Sequence, residues 1–399
     1  MAENLQAKPV KQIKRKGFDL LDAGYACLWF IVLQLAMELI ISFSRSAIIK
    51  YRPLYYLASI LVEAVFIFAS LIVCSMRKVE FVESTDLNKK LDYRTALLSV
   101  AISVICVFGF SSLTNVFVYS LEKLGYNSYM SNIAIPNFWY YLLYVFMMCI
   151  VPAICEEVLF RGTILKGMLK KGKTYAVLMS ALIFMLMHGG PDQTIHQFIL
   201  GVILGFVFVY SGSIWATILI HFLNNFYAVT SLYIMTPALQ EGAETASAVP
   251  TWGELAITLV YGVCIAIFSA YLVYLCIKGI AWVKKQQDKK DLQKFNLLLD
   301  KENLTEKELG WIKRYQTRAH LQEEFDDVEN TLKNKKLAKK NNQTIAMQNN
   351  EQNALNGQNM ISSSKTTNAG STAYKILIGV SIAYLCLNWI FTLVTGFIL

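Results

Sequence analysis

The chain has 399 residues, 55% of them hydrophobic and 16% charged, with a formal net charge of +9. Its apolar residues fall in runs long enough to cross a hydrocarbon core of roughly 30 Å, which excludes an ordinary soluble domain. The positive excess lies in the flanks of those runs and in a basic tail, so it points to an anionic lipid surface and not to nucleic acid.

In chain order, a basic leader with Lys8, Lys11, Lys14, Arg15 and Lys16 precedes apolar runs at 24–43 and 53–75. The first run is too long for a cleaved signal peptide and has no small-residue cleavage site behind it, so it is expected to stay as a helix. Further runs follow at 95–118, 137–160, 174–190, 193–211, 213–235 and 253–282, with a last one at 374–398. The fifth and sixth are short for a full crossing. The expected fold is an all-α integral membrane protein of about eight core transmembrane helices plus one C-terminal transmembrane helix. Five units are expected: 1–94 with the first two helices, 95–282 as the membrane core, 283–340 as a charged cytoplasmic helical segment, 341–372 as a linker, and 373–399 as the C-terminal helix. The charged segment has Leu and Phe spaced for one apolar face. The linker, rich in Asn, Gln and Ser, cannot bury enough apolar surface to offset its ordering entropy and is expected to be disordered. The last run bears no ionisable residue after Lys375 and reads as a plain anchor.

Lys and Arg accumulate on the cytoplasmic side of a membrane. Arg77, Lys78, Lys89, Lys90 and Arg94, then Lys166, Lys170, Lys171 and Lys173, join the N-terminal basic residues inside; 119–136 has one lysine and 236–252 none. Arg45, Lys50 and Arg52 break this alternation. A multi-pass plasma-membrane protein with a cytoplasmic N-terminus is expected. All eight cysteines lie inside apolar runs, which argues against a disulfide framework or a CxxC metal site.

An ionisable side chain within a span costs at least about 2.5–3.5 kcal/mol on insertion scales, so each needs a partner or a purpose. The fourth run enters CEEVLFRG, with Glu156, Glu157 and Arg161; the fifth ends FMLMHGG, with His188; the seventh contains IHFLNNF, with His221, Asn224 and Asn225. On a helix Glu157 and Arg161 share a face and can pair, while Glu156 points about 100° away and is left free. Counting about 1.5 Å per residue from the turns near 171–173 and 211–213 puts Glu156 and His188 about 21 Å up, His221 about 12 Å and Asn225 about 18 Å. Three helices thus bring a carboxylate, two imidazoles and a carboxamide to overlapping depths. His196, at about 22 Å on the same count, is expected at the rim, and Asn224 as an interhelical hydrogen bond. Glu38 and Glu63, mid-span in the first two helices, form either a polar contact with each other or with Asn115, or a cavity wall.

The strings EExxxR (Glu156, Glu157, Arg161), FxxxH (Phe184, His188) and HxxxN (His221, Asn225), in this order on successive apolar runs, resemble the CPBP family. That family includes CAAX prenyl endopeptidases and bacteriocin-immunity-like proteins, and the resemblance covers roughly 95–235. It implies an intramembrane endopeptidase of the glutamic type. Glu156 would be the general base for a water held with His188, and His221 and Asn225 would stabilise the oxyanion. Glu157 and Arg161 would support the architecture, and Phe184 would pack. A carboxyl desolvated in an apolar cavity is drawn toward its neutral form, which suits a base working near neutral pH. No cofactor is expected; the alternative is a zinc ion on Glu156, His188 and His221 with an open fourth position. The chain has no HExxH, GxSG or GxGD string, so zincin, rhomboid-like and presenilin-like chemistries are not indicated. Expected partners are membrane lipid, a peptide or membrane-protein substrate, and a protein recruited by the tail, with bacteriocin or peptide-signal processing preferred over prenyl processing. Two rivals stand beside this reading: a proton-coupled transporter relaying protons through the same Glu and His residues, and a catalytically silent immunity-like or scaffold protein.

Overall fold

Backbone groups facing lipid have no water to bond to, so apolar runs of this length close their hydrogen bonds within helices. The computed structural model describes residues 17–127, 135–240, 250–299, 301, 305–312, 315 and 369–398, and among these there is no strand. The helices are α1 (Leu20–Lys50), α2 (Arg52–Arg77), α3 (Tyr93–Lys123), α4 (Phe138–Lys171), α5 (Lys173–Met187), α6 (Thr194–Ser211), α7 (Ile214–Gln240), α8 (Trp252–Leu299) and α9 (Ala369–Ile398). Eight are long and apolar enough to span a bilayer, and the molecule is a multi-pass membrane protein. The ninth, α5, has 15 residues and is too short. It stops because the chain turns directly after His188 at Gly189, whose φ of +65° suits a residue without a side chain. The sixth run, expected to be short, gains a 3-10 turn at Pro191–Gln193 and with it reaches 21 residues. α8 runs through residue 282 without a break, carrying the start of the charged segment as one 48-residue helix. The expected linker lies outside the described residues, apart from 369–372, which belong to α9.

Polar residues fix the ends. Asp19 caps α1 by accepting from Leu21 and Asp22 N–H, and Asp22 accepts from Asp19 N–H at 2.7 Å. Arg77, at the end of α2, pairs with both carboxylates at 2.7 and 3.0 Å and ties the two helices together. Asp92 and Asn137 cap α3 and α4 in the same way. In the α2–α3 connection, Asp86 accepts from Lys166 at 2.7 Å and Lys89 at 3.2 Å. Burial alone would push its carboxyl up, but the two ammonium groups outweigh that and hold it below the usual range. Arg77, Lys89, Lys166 and Lys171 mark this end of the bundle as its basic face.

The core is built around α4, whose residues from Cys155 to Leu165 are all buried. Two wide, π-helical stretches interrupt it, at Val145–Ile150 and Phe160–Leu165. The first has a visible cause: Pro152 has no N–H to give the Met148 carbonyl four residues back. Small residues let α5 and α6 approach closely. A Cβ on Gly201 would lie 3.0 Å from Ala181, and one on Gly205 2.9 Å from Val177.

The C-terminal run, expected as a plain anchor, forms a helix that packs within the bundle. α9 packs on α1 and α5 and buries Tyr374, Ile378, Ser381 and Leu385. Tyr374 and Tyr175 share a hydroxyl hydrogen bond of 3.0 Å, and Trp389 Nε1 donates to Thr194 Oγ1 at 2.9 Å. Van der Waals fit and a few hydrogen bonds drive helix association in lipid, so a run without ionisable residues can still be a structural member of the bundle.

Candidate active site

Arg161 is the largest fully buried side chain, and the surrounding groups follow from the need to satisfy it. Its Nη1 donates to Glu157 Oε1 at 2.6 Å and its Nη2 to the Gly201 carbonyl at 3.2 Å. Its guanidinium lies 4.7 Å over the Phe184 ring. Glu157 is also fully buried, and the same Oε1 accepts from His221 Nδ1 at 3.0 Å. The i, i+4 pair expected from spacing is therefore one half of a three-membered chain from α4 to α7, and Glu157 orients His221 as well as neutralising Arg161. With Nδ1 committed to a carboxylate, His221 Nε2 is the free ring atom.

His188 is set by its own helix end. Its Nδ1 lies 2.8 Å from the Phe184 carbonyl, an acceptor, so Nδ1 carries the proton and Nε2 faces away. Phe184 sits edge-on between the two imidazoles, with centroids 4.7 Å from His188 and 5.9 Å from His221.

Glu156 points where these two rings converge. Its Oε2 is 3.9 Å from His188 Nε2 and 4.0 Å from His221 Nε2. It is 5% exposed, and Oε2 has no hydrogen-bond partner. Those separations exceed the about 3.3–3.6 Å between neighbouring ligand atoms of a tetrahedral zinc with bonds of about 2.0–2.2 Å. The three side chains expected from sequence to meet thus do come together.

The amides behave differently from one another. Asn225 Nδ2 donates to the Met148 carbonyl at 3.0 Å, a group to which Pro152, four residues on, has no N–H to give. Asn224 Nδ2 lies 3.0 Å from His196 Nε2 and ties α7 to α6. Glu63, on α2, is close enough to Glu156 and Cys155 for their charges to interact, and its Oε2 is also buried without a partner. Glu38 takes a long contact from Gln34, 3.5 Å, on the exposed side of α1. Sequence reasoning left the Glu157–His221 bond and the Met148–Asn225 bond unread.

A largely apolar groove of 610 Å³ opens between α4 and α7, lined by Ile150, Ala153 and Ile154 on one side and Trp215, Ile218 and Phe222 on the other, with Lys89, Lys90 and Leu91 of the α2–α3 connection at its basic-face end. Ala153 lies one turn before Glu157, and Phe222 follows His221.

With this geometry in place, the comparisons with known proteins can be stated. Residues 137–227 match the family model described as Rce1-like, type II CAAX prenyl endopeptidase, so this stretch is similar to a family of membrane proteases. No curated protein and no solved structure matches the chain. The matched stretch contains all of α4, α5 and α6 and the first half of α7, and with them Glu156, Glu157, Arg161, Phe184, His188, His221 and Asn225.

Proposed function

We propose that this protein is an intramembrane endopeptidase that hydrolyses a peptide bond in a membrane-associated peptide or protein, with Glu156 as general base. The observation that carries the reading is the 3.9 Å separation of two acceptors, Glu156 Oε2 and His188 Nε2. A water about 2.8 Å from each can give one proton to either acceptor, with its oxygen lone pairs left to attack.

In the forward step the water oxygen bonds to the scissile carbonyl carbon while Glu156 takes one of its protons, and the carbonyl π electrons move onto oxygen. That oxyanion accepts from Asn225 Nδ2 and from a proton on His221 Nε2, the ring nitrogen that the Glu157 contact at Nδ1 leaves unengaged. The C–N bond then breaks, Glu156 returns its proton to the leaving nitrogen, and the carboxylate is restored. Preorganised donors of this kind are worth roughly 2.7–4 kcal/mol each. The groove between α4 and α7 supports lateral arrival of an apolar peptide from the bilayer. The loop charges support a plasma-membrane orientation with the N-terminus and basic face in the cytoplasm.

Water activation here needs no metal. Purified protein in lipid vesicles is therefore expected to cut an embedded peptide, lipidated or plain, at the same rate before and after exhaustive chelation. Loss of cleavage on chelation, restored by zinc, would transfer the role of Glu156 to a metal site. Failure to cut any member of a broad membrane-peptide set would remove the peptidase reading.

A further inference from the structure

α5 is too short to cross a bilayer, so His188 sits at a helix end where the chain reverses inside the bundle. The reversal passes through Gly189, Gly190 and the 3-10 turn at Pro191–Gln193 before α6 begins at Thr194. Three backbone bonds tie it into one unit. Gly190 N–H donates to the His188 carbonyl at 2.7 Å, Gln193 N–H to the Gly190 carbonyl at 3.1 Å, and Thr194 N–H to the Pro191 carbonyl. A group that holds Thr194 therefore also restrains His188.

α9 runs beside α5 and continues past its end. Near the basic face the Tyr374 and Tyr175 hydroxyls meet at 3.0 Å, and fourteen residues farther along both stretches, about 21 Å, Asn388 faces Gly189. Equal counts mean that the two stretches are parallel and in step. A Cβ on Gly189 would lie 3.3 Å from Asn388 Nδ2, so α9 is pressed against the residue that follows His188. The next residue, Trp389, donates from Nε1 to Thr194 Oγ1 at 2.9 Å. Beyond it α9 is fixed again: the Gly396 carbonyl accepts from Asn127 N–H at 2.8 Å, and the Phe397 ring lies edge-on to Tyr126 at 5.7 Å. Held at both ends, α9 clasps the turn from Gly189 to Thr194, although it lies outside the stretch similar to the protease family.

We propose that Trp389 is a positioning residue for His188: its hydrogen bond to Thr194 locks the turn and so keeps His188 Nε2 aimed at Glu156, 3.9 Å away. This rests on reading His188 as a partner of the attacking water, but half of its test needs no substrate. The chain has four histidines, few enough for ¹⁵N NMR of histidine-labelled protein in vesicles to resolve the imidazoles, with His188→Gln assigning the one in question. In the wild type His188 is expected as a single Nδ1–H tautomer on the Phe184 carbonyl.

Trp389→Phe keeps an aromatic ring and loses the N–H; Thr194→Val keeps the shape and loses the acceptor. Each should shift or broaden the His188 signal and lower kcat for peptide cleavage about two- to tenfold, the worth of one neutral hydrogen bond, with KM unmoved. Thr194→Ser, which keeps the hydroxyl, should restore both readouts. Tyr374→Phe controls for packing, because it removes a bond of the same kind from the other end of α9. It should lower the melting temperature and leave the His188 signal and kcat as in wild type. An unmoved His188 signal and kcat in Trp389→Phe and Thr194→Val overturn the proposal, as does a Tyr374→Phe variant that changes both as much. A His188 signal moved by Trp389→Phe and Thr194→Val alone, in protein that cuts no peptide, upholds the clasp and removes only the peptidase reading.

Discussion

Glu156→Gln is expected to lower peptide cleavage by about 10²–10⁴-fold, the usual worth of a positioned general base, while the protein folds and melts like wild type. The substitution preserves shape and removes only the capacity to take a proton from water. Stability should be spared because Glu156 Oε2 makes no hydrogen bond and because no lysine or arginine among the described residues pairs with the carboxylate. Parallel measurements of cleavage in vesicles and of thermal unfolding in detergent check both halves. Cleavage retained in a well-folded Glu156→Gln variant would discard this residue as the base.

The adjacent glutamate should behave in the opposite way. Glu157→Ala strands the Arg161 guanidinium in a fully buried position, and breaking a buried pair by removing one partner typically costs about 3–5 kcal/mol. The loss should appear as a large drop in melting temperature and in folded yield. Arg161→Met alone should be comparably damaging, since it leaves Glu157 charged beside His221. The double variant Glu157→Gln with Arg161→Met should recover a substantial part of the stability, because it removes both charges together. Its activity should stay low, because His221 loses the carboxylate that holds its Nδ1. Independent, additive losses in the double variant would show that the two side chains do not act as a pair.

The contrast between these neighbours shows what a sequence can carry. Spacing alone paired Glu157 with Arg161 and left Glu156 free, because helical geometry within one span is local and nearly invariant. The depth count brought Glu156, His188 and His221 to overlapping levels for a related reason: tight connections anchor successive spans at a common face. What spacing could not give was azimuth between spans. Asn225 turns one N–H to the Met148 carbonyl because Pro152 and the wide turn at Val145–Ile150 free that group, which no count of straight helices contains. The packing of α9 escaped notice because intramembrane contacts rest on shape, and Tyr374 and Trp389 find Tyr175 and Thr194 across nearly two hundred residues of chain. The three short strings pointed to the candidate site; some of the contacts around it come from helices with no string at all.

Single-turnover hydrolysis in ¹⁸O-labelled water tests the central claim, that Glu156 activates a water and does not itself attack the peptide. If Glu156 is a base, the first product molecule carries ¹⁸O in its new carboxylate and Glu156 remains unlabelled in the recovered protein. An unlabelled first product, with ¹⁸O appearing in the Glu156 side chain, would mean a covalent acyl intermediate and would contradict the account.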